Sequence, residues 1–259
     1  MINLIRRTLI AAAALLLVTA CAAESPQPAG PTATSSPAGP ITVFAAASLT
    51  EAFTQIGTDF EARSGSKVTF NFGSSATLAT QIIAGAPADV FAAASTTTMK
   101  TVTDAGGASA PVDFVSNTLQ IAVPKGNPGK ITGLADFAGA SKTIAICAPQ
   151  VPCGAAAVKV FAAAKIVPKP DTLEQDVKAT LAKVAADEVD AALVYRTDVI
   201  SAPSDVEGVD FPEAGKAVNT YPIAVLTQSK TADVAQAFVD YVLSSDGQAV
   251  LKKAGFAQP

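Results

Sequence analysis

From residue 41 onward the chain alternates short apolar runs with longer stretches of helical period. Ile41–Ala45 is apolar, and Leu49, Phe53, Ile56 and Phe60 then recur at intervals of three and four, which predicts a strand followed by an amphipathic helix. Lys67–Phe72 alternates as a strand. Leu78, Ile82 and Ile83 mark a second helix, stopped by Gly85 and Pro87. Ala88–Ala92 predicts a third strand and Leu119–Val123 a fourth, ended by the turn-forming run from Pro124 to Pro128. A second block then begins. Thr143–Cys147 reads as a strand, Gly154–Lys165 as an alanine-rich helix, Val177–Ala186 as another helix and Ala191–Tyr195 as a buried strand. Tyr221–Leu226 is again a strand, and Ala232–Leu243 and Gln248–Ala254 close the chain as helices. Alternation of this kind predicts an α/β fold with parallel sheets covered by helices. Periodicity does not decide between one sheet and two, and no internal repeat is evident.

The first forty residues follow a different pattern. Arg6 and Arg7 precede an apolar run from Leu9 to Val18 that is short for a membrane span and ends in small residues. Residues 1–20 therefore read as a signal peptide. The run closes as Leu17-Val18-Thr19-Ala20-Cys21, which resembles the bacterial lipobox. That resemblance implies acylation of Cys21 as the first mature residue; the alternative is an ordinary secretory signal with a chance cysteine. Residues 22–40, AAESPQPAGPTATSSPAGP, have no apolar period and cannot bury a core. Residues 21–40 thus form a lipidated cysteine and a disordered, polyproline-like tether.

Charge and composition narrow the partners. The whole chain carries a net charge of −4. Removing residues 1–20 takes away two Arg and no acids, leaving 16 basic against 22 acidic residues, or −6. No basic patch appears, so nucleic acid is excluded as a partner. An anionic ligand would have to be attracted locally. Histidine and tryptophan are absent, which removes the usual general base and the usual transition-metal ligand. Cys147 and Cys153 lie six positions apart around two prolines. Outside the cytoplasm they form either a small-loop disulfide or two half-buried thiols. Without histidine or nearby carboxylates they make a poor metal site.

Five junctions could carry chemistry. In Phe44-Ala45-Ala46-Ala47-Ser48-Leu49-Thr50-Glu51 a strand enters small residues, then a serine, then a helix. Ser48 and Glu51 have the spacing of a capping box. The functional reading is a hydroxyl beside free N–H groups at a helix start, a place that binds anions. Phe72-Gly73-Ser74-Ser75-Ala76-Thr77-Leu78 repeats the arrangement. In an α/β sheet both turns would sit at the carboxyl ends of strands, where ligands bind. Pro149-Gln150-Val151-Pro152-Cys153-Gly154 is a third junction, whose contribution would come from backbone N–H groups. At Gln175-Asp176-Val177 the aspartate reads as an N-cap and the Val177 N–H as the functional group. Tyr195 closes an apolar strand, either turning its hydroxyl inward or sitting at the rim. No GxSxG elbow, P-loop or CxxC motif occurs. With no histidine base, the chain reads as a non-enzyme without a cofactor.

Several segments then carry a resemblance: ITVFAAASLTEAF, FGSSATLATQIIAGAPADVF, QVPCGAAAVKVF, ALVYRTDV and NTYPIAVL. In this order they resemble the periplasmic molybdate-binding proteins of ABC transporters across nearly all of residues 41–259. The resemblance implies a type II periplasmic-binding-protein fold, with two α/β lobes joined by two hinge strands. Lobe 1 would take residues 41–120 and 226–259, and lobe 2 residues 121–225. The crossings would fall near Leu119–Val123 and Tyr221–Leu226. It further implies an oxyanion held by the hydroxyls of Ser48, Ser75 and Tyr195 and by the backbone at Cys153 and Val177. Cys153 stands where the family often has alanine in a V-P-A-G stretch, a departure that places a possible disulfide at the cleft edge. The implied ligand is molybdate, with tungstate as a near isostere, and no metal is held as a cation. The implied partner is an ABC permease, served by a monomer on the outer side of the membrane and anchored there by lipid. Competing readings are a receptor for another oxyanion such as sulfate, and an extracytoplasmic hydrolase on the same fold.

Overall fold

The computed structural model describes residues 39–259. The expected signal peptide, the lipidation site at Cys21 and the tether up to residue 38 lie outside the described residues. Among the described residues no helix is long and apolar enough to cross a membrane.

The elements run in the order β1 (Pro40–Ala46), α1 (Thr50–Ser64), β2 (Lys67–Gly73), α2 (Ser75–Ile83), β3 (Val90–Ala92), α3 (Thr96–Asp104), β4 (Val112–Asn117), β5 (Leu119–Pro124), β6 (Ile144–Cys147), α4 (Pro152–Ala164), β7 (Thr172–Glu174), α5 (Val177–Ala185), β8 (Ala191–Tyr195), α6 (Arg196–Ser201), β9 (Val206–Val209), β10 (Asn219–Val225), α7 (Ala232–Leu243) and α8 (Ser245–Lys253). They build two five-stranded sheets, of order β2-β1-β3-β10-β4 and β7-β6-β8-β5-β9.

The sheets, expected from the alternation to be parallel, are two mixed sheets. β1 runs parallel to β2 and β3, and β6 runs parallel to β7 and β8, as strand–helix–strand units require. β10 is antiparallel to β3 and β4, and β5 is antiparallel to β8 and β9. These are the strands that enter each sheet from the other, so no helical crossover fixes their direction. Only Thr118 separates β4 in the first sheet from β5 in the second. The return lies upstream of where the sequence suggested. The whole of β10 from Asn219 belongs to the first sheet, so residues 219–225 fall outside the second block. The two passages meet: Asn117, the last residue of β4, is the register partner of Asn219, the first of β10.

Alternation along β1 gives the first sheet a core on each face. Val43 and Ala45 face Phe53 and Phe238, while Phe44 faces Leu78, Phe91 and Met99. Phe53 anchors one of these cores, with Phe114 at 5.9 Å and Phe238 at 6.1 Å between ring centroids. Each buried ring of this kind stabilises the fold by about 1.5–3 kcal/mol. The second sheet is packed with smaller side chains, among them Ala145, Ala157, Val160, Ala192 and Val194, with Phe137 and Phe161 at 5.6 Å. Three helix starts are capped by their own side chains. Ser95 accepts from the Thr98 N–H at 3.2 Å, Asp176 from Ala179 at 2.9 Å and Ser244 from Gly247 at 3.3 Å.

Candidate ligand-binding site

The turns that follow β1, β2, β6 and β7 converge on one cavity. It encloses about 220 Å³ of space not filled by protein atoms, part of it open to solvent. Ser48, Ser75, Cys153, Val177 and Tyr195 all line it, so the five positions singled out from the sequence are brought together. Among the described residues no lysine or arginine lines it. The helical turns beginning at Ala47, Ser75, Pro152 and Val177 all open there. Helix geometry leaves first-turn N–H groups without an intrahelical acceptor and concentrates partial positive charge beside them. These helix starts therefore direct partial positive charge at the cavity without any cationic side chain on its walls.

Two of the hydroxyls are oriented by what they accept. Ser75 Oγ accepts from the Ala94 N–H at 3.0 Å, which leaves its own proton to donate. Tyr195 is buried, and its Oη accepts from Asn219 Nδ2 at 2.8 Å, with the same consequence. The rim reading of Tyr195 is thereby replaced by the inward one. Asn219 also donates to the Ala94 carbonyl at 2.7 Å, fixing its amide against both partners. Ser48 Oγ lies 2.9 Å from the hydroxyl of Tyr221. The expected Ser48–Glu51 capping box does not form. A 3-10 turn at Ala47–Leu49 precedes α1, so the residue before that helix is Leu49, and Ser48 sits one position upstream, turned toward Tyr221. Glu51 instead meets Lys178 at 2.8 Å.

The opposite wall is held through its backbone. Cys147 at the end of β6 and Cys153 in the first turn of α4 are joined by a disulfide. Gly154 beside it admits no side chain, since a Cβ there would lie 1.9 Å from the Ala148 carbonyl oxygen. Asp176 turns its carboxylate to its own helix, and Val177 beside it lines the cavity.

Burial sets the protonation of the site. Desolvation raises Tyr195 well above an ordinary tyrosine, with Tyr221 and Asp198 adding to the effect. Tyr221 is raised by burial too, opposed in part by the Ser48 hydroxyl. Both phenols keep their protons. Asp198 is fully buried and raised to about 6 by desolvation, against the pull of the Lys178 ammonium and the Tyr195 N–H. Lys178 Nζ lies 3.3 Å from Asp198 Oδ1, and Tyr195 N–H donates to Oδ2 at 3.1 Å. Among the described residues, Asp198 Oδ1 and Ser74 Oγ are the buried side-chain oxygens without a hydrogen-bond partner. No cluster of acidic or cysteine side chains there could hold a metal ion.

Sequence reasoning missed Tyr221, Asn219, Asp198 and Lys178. Their roles depend on contacts between distant strands and helices, and no local motif announces them.

Comparison with known proteins gives a consistent result. The profile of bacterial extracellular solute-binding proteins matches residues 41–257. The molybdate-binding protein ModA of Mycobacterium tuberculosis is 42% identical over 255 residues, covering 97% of each chain. The ModA of Escherichia coli is 35% identical over 235 residues, covering 84% of this chain and 89% of its own. The solved periplasmic molybdate-binding protein of Azotobacter vinelandii superposes with a TM-score of 0.69 over 85% of this chain and 99% of its own, at 20% identity. The fold is that of type II periplasmic binding proteins.

Proposed function

Because the chain belongs to the bacterial extracellular solute-binding protein family, we propose that it captures molybdate outside the cytoplasm and delivers it to an ABC importer. The observation that carries this reading is the cavity of inward hydroxyls and helix starts with no cationic side chain on its walls. A tetrahedral dianion is costly to desolvate, and charge-assisted hydrogen bonds from oriented donors offset that cost. Each contributes about 1.5–3 kcal/mol net. The Ser48, Ser75 and Tyr195 hydroxyls and the N–H groups at Cys153, Val177 and the serines make five to seven such bonds on our reading, which suffices for roughly micromolar or tighter binding.

The donor set also selects. Molybdate accepts at every oxygen. Hydrogen phosphate keeps a proton that needs an acceptor, and leaving a buried polar group unpaired costs about 1–3 kcal/mol. Sulfate has the right charge but shorter bonds, so it fills a cavity sized for molybdate poorly. Tungstate is nearly the size of molybdate and binds as well. Closing the wall that carries Ser48 and Ser75 onto the wall that carries Cys153, Val177 and Tyr195 gives the form a permease reads. The division into two moving lobes, the monomeric state and the lipid anchor at Cys21 belong to this proposal.

Isothermal titration of residues 22–259 with molybdate, tungstate, sulfate and phosphate tests it. One-to-one binding of the first two, with the last two silent, is the expected result. Tight sulfate binding would keep the fold and change the ligand, and silence from all four would remove the oxyanion site.

A further inference from the structure

Ser74 occupies the N-cap position of α2 but does not cap it. Ser95, Asp176 and Ser244 hold the same position on α3, α5 and α8, and each accepts an N–H of its own helix; Thr231, which leads α7 without capping it, donates to Asp89 instead. Ser74 is only 7% exposed, its Oγ has no hydrogen-bond partner, and it lines the same cavity as Ser48 and Ser75. A buried hydroxyl left unpaired is unfavourable. Rotation toward its own helix would offer it the Ala76 or Thr77 N–H in the usual capping geometry. In this structure those N–H groups have no side-chain cap. The start of α2 therefore presents an unused hydroxyl and uncapped main-chain donors at a wall of the cavity.

We propose that the Ser74 hydroxyl is a further donor to the bound oxyanion, beside the hydroxyls of Ser48, Ser75 and Tyr195. The proposal rests on the oxyanion reading of the cavity. Ser75 and Ser74 divide the work at the start of α2. Ser75 is anchored to β3 through the Ala94 N–H, so its position is set before ligand arrives. Ser74 has no such anchor and takes its partner from the ligand. A ligand with an acceptor oxygen at that wall is favoured over one that turns an O–H there.

Titration of wild type and Ser74→Ala with sodium molybdate, together with thermal unfolding of both without ligand, tests this. Loss of one charge-assisted hydrogen bond weakens binding by about tenfold or more. The ligand-free unfolding temperature of Ser74→Ala is expected to match or exceed that of wild type, because an unpaired buried hydroxyl has been removed. Affinity within twofold of wild type overturns the proposal. A lowered unfolding temperature with unchanged affinity also overturns it, since that is the signature of a helix cap. Ser74→Gly removes the hydroxyl at a position where glycine is well tolerated; it should show the same loss of affinity, and normal binding by it would overturn the proposal even if Ser74→Ala were poorly folded. The outcomes are separable from failure of the functional reading: wild type that does not bind molybdate refutes that reading and this inference with it, whereas wild type that binds beside a variant that binds equally refutes the inference alone.

Discussion

Ser48 and Ser75, in the turns after β1 and β2, line the cavity as hydroxyl residues, whereas Cys153 and Val177, after β6 and β7, line it at the starts of α4 and α5. On the proposed reading the first wall is specified by residue type, since its side-chain donors are the serine hydroxyls. The second is specified by backbone path, which a disulfide, a glycine and an aspartate cap maintain. The two walls should therefore respond differently to substitution, even though they face the same ligand.

The largest expected effect falls on the serine wall. Ser48→Ala combined with Ser75→Ala removes two charge-assisted donors worth about 3–6 kcal/mol together, or roughly a hundredfold to ten-thousandfold in affinity. Calorimetric titration with molybdate reads it directly. Binding at wild-type strength by a folded double variant would dissolve the distinction between the walls.

Tyr195 is the exception on the second wall, a side-chain donor whose own N–H is held by Asp198. Asp198 provides a test through pH. Its folded pKa of about 6 lies above the ordinary 3.8, so the folded state holds the proton more tightly than the unfolded state. Its contribution to stability is fully present below about pH 4 and is lost as pH rises through about 6. The loss reaches about 2–3 kcal/mol. Asn cannot ionise. The stability of Asp198→Asn relative to wild type, measured by denaturant unfolding at several pH values, should therefore climb between pH 4 and 6 and be level on either side. A difference that is flat throughout would mean that Asp198 ionises as freely in the folded chain as in the unfolded one.

The smallest effect on binding is expected where the backbone does the work. Cys147→Ala with Cys153→Ala opens a short loop and lowers stability by about 2 kcal/mol. The helix start and its N–H groups survive, so molybdate affinity should fall by less than tenfold. A loss as large as that of the double serine variant would show that the disulfide, and not the helix, places the donor.

The contrast also explains what the sequence revealed. β1, α1, β2 and α7 were legible because their apolar spacing is strict and their cores are large side chains such as Phe53 and Phe238. α3 escaped notice because Thr96–Thr98 and Thr101 give its exposed face little helical signature, with Met99 and Val102 alone buried. β4, β7 and β9 are edge strands or short, and carry little period. The antiparallel direction of β5 and β10 was hidden because orientation depends on the route between sheets, which local pattern does not encode. At the site, the serine-led turns were visible as motifs. Tyr221 and Asn219 were not, since each acts on a residue far away in the chain, Ser48 and Tyr195 respectively. The capping box was misread because a 3-10 turn shifted the helix start past Ser48.

Asn117 and Asn219 are adjacent across β4 and β10, and each reaches into the second block: Asn117 to Thr197 at 2.9 Å and Asn219 to Tyr195 at 2.8 Å. The amide pair therefore ties the crossing between the sheets to the end of β8 and the start of α6, and through Asn219 to the Tyr195 hydroxyl itself.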